Sequence, residues 1–294
     1  MNATERRGRL RELLAGNRCI EPASMFDPVS ARIAQDLGFE AGIYGGSTAS
    51  IQVLGAPDIV LVTLTEFAEQ VRRICRGSDL PLLADADHGF GNALSARRTV
   101  EELEAAGVAA VTIEDTLFPV PYGGYAETRL ISIPEAVGKM RAAMDGRHDP
   151  STVVMGRTIA THVSGIDELV TRAEAYQATG VDGLFFVNLR TRAELDALAT
   201  KIKLPMFLGG YTPELDDPAY LASRGVKMYF QDHKPFNASI RAIYDTLKAQ
   251  RERLTLPPGA STDPALNATV TNADRYEKWS NQFLSDTASV AKWR

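Results

Sequence analysis

Eight short apolar, β-branched runs alternate with longer amphipathic segments along nearly the whole chain, and this rhythm is the strongest constraint on its fold. The runs lie at 20–24, 41–45, 82–87, 109–114, 152–157, 183–188, 206–209 and 227–231. Helical patterns separate them, among them VSARIAQDLG, ALSARRTVEELEAAG and GIDELVTRAEAYQATG. Eight βα units predict a parallel (β/α)8 barrel of the TIM type. A doubly wound sheet more often stops at five or six strands and carries G-x-G-x-x-G after the first, which this chain lacks. Three helices end alike, in DLGF, AAGV and ATGV, and each glycine reads as a cap that turns the chain into the next strand.

Outside the repeats, MNATERRGRLRELLAGNR reads as a charged amphipathic helix without the apolar core of a signal peptide. Beyond Leu254, LPPGASTDPALNATVTN reads as a linker, followed by a helix from Ala273 to about Leu284. That helix carries Tyr276, Trp279 and Phe283 at i, i+3 and i+7, a stripe that packs on its own barrel or on a neighbouring subunit. The expected organisation is a barrel domain at 1–253 and a linker with a helical arm at 254–294. Lys+Arg 32 against Asp+Glu 37 leave a net charge of −5, which argues against nucleic acid and anionic lipid as partners. The longest apolar stretch, 59–64, is too short to cross a bilayer. Cys19 and Cys75 share no CxxC spacing and suit a reducing compartment, so a cytoplasmic protein is expected.

A parallel barrel places its active site at the C-terminal strand ends. Strand two ends in Tyr44-Gly45-Gly46-Ser47, strand three in Asp85-Ala86-Asp87-His88, strand four in Glu114-Asp115, strand five in Arg157-Thr158, strand six in Asn188, and strand eight runs into Asp232-His233. Asp85 and Asp87, two apart in an extended segment, project to one side. Glu114 and Asp58 can approach the same point, and an all-oxygen set favours Mg2+ or Mn2+. The alternative is that Asp85 and Asp87 cap helices or pair with Arg97 or Arg98. Arg157 shares a side with Val153 and Met155, so it points into the barrel mouth, where a guanidinium captures a carboxylate or phosphate. Its alternative is an ion pair with Glu114 or Asp115. Ser47 follows two glycines and can bind an oxyanion, or YGGST is simply a tight turn; it is not the G-x-S-x-G elbow. His88 and His233 stand at strand ends, His233 in the better position for a role.

SARIAQDLGFEAGIYGGS, LADADHGFGN, VTIEDT and GRT together resemble the isocitrate lyase / phosphoenolpyruvate mutase superfamily over most of the chain. The resemblance implies a (β/α)8 barrel whose last helix is swapped between subunits, giving a homotetramer built as a dimer of swapped dimers. It implies that Asp85 binds Mg2+, that Asp58, Asp87 and Glu114 hold its water shell, that Gly46 and Ser47 bind the substrate carboxylate, and that Arg157 clamps a carboxylate. Lyases of the superfamily carry K-[KR]-C-G-H after strand four, and its phosphonate mutases a Lys/Asn-bearing loop. Here that loop reads LFPVPYGGY, without Cys, Lys or Asn. Loss of CO2 from a β-keto acid needs an electron sink rather than a base, and Mg2+ chelated by a 2-keto acid supplies one. With Tyr44 through Ser47 and His233 as substrate-binding residues, the chain looks like the oxaloacetate decarboxylase branch. The expected substrate is a small 2-keto dicarboxylic acid. The rivals are a carbon–carbon lyase acting on a 2-methylisocitrate- or dimethylmalate-like acid, and a non-catalytic keto-acid-binding barrel.

Overall fold

The computed structural model describes residues 1–120, 122–123 and 128–284. After α1 (Ala3–Ala15) the chain alternates β1 (Ala23–Ser24), α2 (Pro28–Asp36), β2 (Gly42–Gly45), a short α3 (Gly46–Ala49) and α4 (Leu64–Gly77). It continues through β3 (Leu82–Asp85), α5 (Ala93–Ala106), β4 (Ala110–Glu114), α6 (Ile133–Asp145), β5 (Val153–Thr158), α7 (Ala160–Ser164) and α8 (Ile166–Gln177). The last units are β6 (Gly183–Val187), α9 (Arg192–Lys201), β7 (Met206–Gly209), α10 (Pro218–Ser223), β8 (Val226–Phe230) and α11 (Lys234–Glu252), followed by α12 (Pro264–Thr271) and α13 (Ala273–Phe283). All neighbouring strands pair in parallel in the order β1 to β8. Ile20 closes the ring against β8: its N–H donates to Lys227 O and its carbonyl accepts from Tyr229 N, both at 3.0 Å. The expected strand at 20–24 is thereby split, since Pro22 has no N–H to offer a ladder.

Side chains alternate between two apolar layers. Ile43, Leu83, Ala110, Met155, Phe185, Phe207 and Met228 fill the barrel interior, while Tyr44, Leu82, Val111, Val154 and Phe186 pack outward under the helices. Leu10 and Leu14 of α1 join the inner layer, so the N-terminal helix plugs the barrel floor. Its arginines fasten it there: Arg7 Nε donates to Val108 O at 2.9 Å, and Arg11 Nε to Ser151 O at 2.9 Å. Gly38, Gly107 and Gly180 have φ of 82°, 101° and 90°, the left-handed turns anticipated before strands two, four and six.

The stretch expected to be linker holds a helix, α12, because Asp263 caps it at Leu266 N and Pro264 starts it. It packs on α2, where Arg32 Nη1 donates to Val270 O at 2.6 Å. Among the described residues no helix is long and apolar enough to cross a membrane.

Candidate active site

Four side chains meet at the C-terminal mouth. Arg157, at the end of β5, donates through Nη1 to Asp85 Oδ2 at the end of β3. The same Nη1 stands 4.0 Å from Asp87 Oδ1, and Nε stands 3.1 Å from Glu114 Oε2. Strand register explains the meeting: Gly45 pairs with Asp85, Asp85 with Thr112, and Glu114 with Arg157, so all project from the inward face. Thr112 Oγ1 donates to Asp85 Oδ1 at 2.6 Å and fixes that carboxylate. Arg97 and Arg98 take no part, pairing instead with Glu101 and Asp145, and with Glu102. Asp115 faces away, bound to Arg172 Nη1 at 3.1 Å and accepting from Tyr176 Oη at 2.5 Å.

Asp87 reaches the cluster by a route the alternation does not describe. β3 ends at Asp85, and Asp87 sits at φ 47°, in a left-handed turn rather than an extended strand. Burial, then the neighbouring Asp85 and Glu114, push its carboxyl well above the usual range against the pull of Arg157. Burial likewise raises Glu114, opposed by Arg157. Burial works to lower the Arg157 guanidinium, but Asp85, Glu114 and Asp87 raise it, so it stays charged. Asp58 lies on the exposed loop after α3; desolvation raises its carboxyl, Arg157 opposes, and Asp85 adds to the rise.

On the other side of the mouth, His233 caps α11, and its Nδ1 stands 2.7 Å from Ser24 Oγ at the end of β1. Its Nε2 lies against Gly45, only 3.0 Å from where a β-carbon there would stand. Burial lowers the imidazole pKa, with Asp85 and Asp232 opposing, which favours the neutral ring. Gly46 is where the Asp87 carboxylate presses in: a β-carbon would meet Asp87 Oδ2 at 2.0 Å. Ser47 follows in the first turn of α3.

Tyr44 departs from expectation. Its ring stacks on Phe67 at 5.2 Å in the helix-facing layer, its hydroxyl donates to Gln52 Oε1 at 3.2 Å, and it is fully buried away from the mouth. Its neighbours Ile43 and Gly45 hold the inward positions, so alternation sends Tyr44 outward. Ser24 and Thr112 were missed; a polar residue closing strand one, and a threonine inside an apolar strand, were their only signals. Of the loop at 117–125, Pro121, Gly124 and Tyr125 lie outside the described residues.

Among the described residues no three His, Cys, Asp or Glu side chains already surround one point as a cation cage, because the Arg157 guanidinium stands between the carboxylates. The donor set nevertheless fits a hard divalent ion. One buried carboxylate, Glu114, and two half-buried ones, Asp85 and Asp87, face one guanidinium, and Glu114 Oε2 has no hydrogen-bond partner among the described residues. Ionised together, the three exceed the arginine by two negative charges, the charge a divalent cation cancels.

Residues 10–251 match the family described as phosphoenolpyruvate phosphomutase. The oxaloacetate decarboxylase of Bradyrhizobium diazoefficiens is 56% identical over 247 residues, 84% of this chain and 85% of that one. That of Rhodopseudomonas palustris is 50% identical over 283 residues, 95% and 97% of the two chains. A phosphonopyruvate hydrolase solved with oxalate and Mg2+ superposes with a TM-score of 0.81 at 26% identity, covering 97% of this chain and all of that one. With this barrel, this mouth and these matches, the chain belongs to the phosphoenolpyruvate phosphomutase family, within the isocitrate lyase / phosphoenolpyruvate mutase superfamily.

Proposed function

We infer that this chain decarboxylates oxaloacetate to pyruvate and CO2, with Mg2+, or Mn2+ in its place, held by Asp85, Asp87 and Glu114. The observation that carries the reading is the mouth cluster of three carboxylates against one guanidinium. Support comes from relatives named oxaloacetate decarboxylase at 50% to 56% identity over most of the chain. Breaking the C3–C4 bond of a 2-keto dicarboxylate leaves an electron pair that the C2 carbonyl must accept. When bound, the cation supplies positive charge at that oxygen.

The protein's own groups supply the rest. Arg157 and the Gly46–Ser47 turn hold the carboxylate next to the keto group. His233, tied at Nδ1 by Ser24, directs Nε2 to the substrate's other side. Asp58 at the rim orders water at the mouth, and water or a nearby acid returns the proton that gives pyruvate. No base is required for bond cleavage, in keeping with a 117–125 segment that has no Cys, Lys or Asn. Free thiols at Cys19 and Cys75 suit a cytoplasmic setting.

The partner surface we assign is a second copy of the chain. α11 exposes Ile240, Ile243, Tyr244 and Leu247 along one stripe, and α13 exposes Tyr276, Trp279 and Phe283 along another. Exchange of the arm between subunits, in a dimer of swapped dimers, covers both.

The decisive experiment measures CO2 and pyruvate released from oxaloacetate by purified protein, with and without EDTA, against a free-Mg2+ blank. Turnover above the blank that EDTA abolishes is the expected result. Mg2+-dependent oxalate binding without turnover overturns the enzyme in favour of a keto-acid-binding barrel. Cleavage of 2-methylisocitrate or dimethylmalate into two acids without CO2 makes it a lyase.

A further inference from the structure

The connection after β3 is tightly coiled: Asp87, Gly89, Phe90 and Gly91 have φ of 47°, 76°, 57° and 150°. Non-glycine residues persist in that region only where neighbours hold them. Three elements hold three successive carbonyls of this turn. Glu114 N–H of β4 donates to Asp87 O at 2.8 Å, Lys139 Nζ of α6 to His88 O at 2.9 Å, and Thr99 Oγ1 of α5 to Gly89 O at 3.1 Å.

The middle tether is chemically the odd one. Lys139 is 3% exposed, on the α6 face that also buries Ala136, Met140 and Ala143. An aliphatic side chain of similar length would pack there without the cost of burying a charge. What the ammonium gains is the hydrogen bond to the turn and the field of Glu135, Glu114 and Asp115, of which Glu114 belongs to the mouth cluster. Asp85, Asp87 and Glu114 repel one another, and a released turn would let Asp87 move away from the other two.

We propose that Lys139 is a positioning residue of the carboxylate site: by holding the His88 carbonyl it keeps Asp87 where the cluster can take a divalent cation. The proposal rests on the decarboxylase reading above. Partners that orient metal ligands without touching the metal are worth about 10- to 100-fold in metal affinity.

The test titrates full-length protein calorimetrically with Mg2+ in the presence of oxalate, beside oxaloacetate turnover at varied Mg2+. Lys139→Met, which keeps the aliphatic stem, is expected to weaken Mg2+ binding about tenfold or more. The Mg2+ needed for half-maximal turnover rises with it, and Lys139→Arg recovers most of the loss. A merely structural lysine would lower Tm and leave the Mg2+ affinity of the folded protein unchanged, and that result overturns the proposal. If Lys139→Met does not fold, Lys139→Gln, which keeps a polar end but carries its amide N–H one bond short of the His88 carbonyl, is judged by the same criterion. Wild-type protein that fails to bind Mg2+ with oxalate overturns the decarboxylase reading itself, and the role of Lys139 with it.

Discussion

At Gly46 the absence of a side chain is what admits the Asp87 carboxylate, since a β-carbon would fall 2.0 Å from its Oδ2. The clash is with the end of a side chain and not with backbone, so Gly46→Ala should remain folded. Its expected defect is loss of Mg2+-dependent oxalate binding with Tm within a few degrees of wild type; unchanged binding would remove Gly46 from the site. Asp85 offers the complementary case. Asp85→Ala relieves repulsion among the carboxylates and leaves Arg157 with Glu114, so the fold should survive. Decarboxylation should fall to the free-Mg2+ blank, and full activity in this variant would end the metal assignment. Residue types and strand ends made Asp85, Glu114 and Arg157 legible from sequence, since all three share the inward parity of their strands. Tyr44 was misread although the same parity, with Ile43 and Gly45 inward, would have sent it outward. Asp87 came to the right place for a different reason: a left-handed turn, set by tethers from three other elements, which no local pattern encodes.

Among the elements, α1 shows how a charged helix becomes part of a core. The segment reads as a charged amphipathic helix, and the structure turns its leucines inward, with Leu10 1% exposed within the barrel's inner layer. Leu10→Ala should cost about 2–5 kcal/mol in denaturant unfolding while leaving the mouth at the opposite end unaltered. Nearby, Asp149 accepts from Ser151 Oγ and N, from Arg7 Nη1 at 2.7 Å and from Thr4 Oγ1 at 2.9 Å. The Ser151 hydroxyl is the largest of the causes that hold its carboxyl below the ordinary range, against a smaller opposing effect of burial. A depressed folded pKa gives stability that is complete above the unfolded value of about 3.9 and is lost as pH falls through the folded value. Asp149→Asn should therefore lower Tm at pH 7, with the gap closing as both proteins are acidified towards pH 2. A gap that persists in acid would assign the effect to packing. Strand and helix positions were readable here from periodicity and glycine caps, whereas the closure through Ile20 depended on contacts distant in sequence; the helix at Pro264–Thr271 was passed over although Asp263 and Pro264 signal its start locally.

For the whole molecule, the proposed second-copy surface makes the stripes on α11 and α13 the place to test how the chain exists in solution. Tyr244 is 58% exposed and Phe283 69%, each within a stripe of apolar side chains open to water. Sedimentation should find an oligomer, and Tyr244→Asp combined with Trp279→Glu should shift it towards monomer. A wild-type monomer would refute the second-copy assignment. The plugged floor has its own bearing on turnover. With Leu10 and Leu14 sealing one end and packed side chains filling the interior, the barrel has a single doorway. Oxaloacetate arrives and both CO2 and pyruvate depart by the same opening, so each catalytic cycle must clear the entrance before the next can begin.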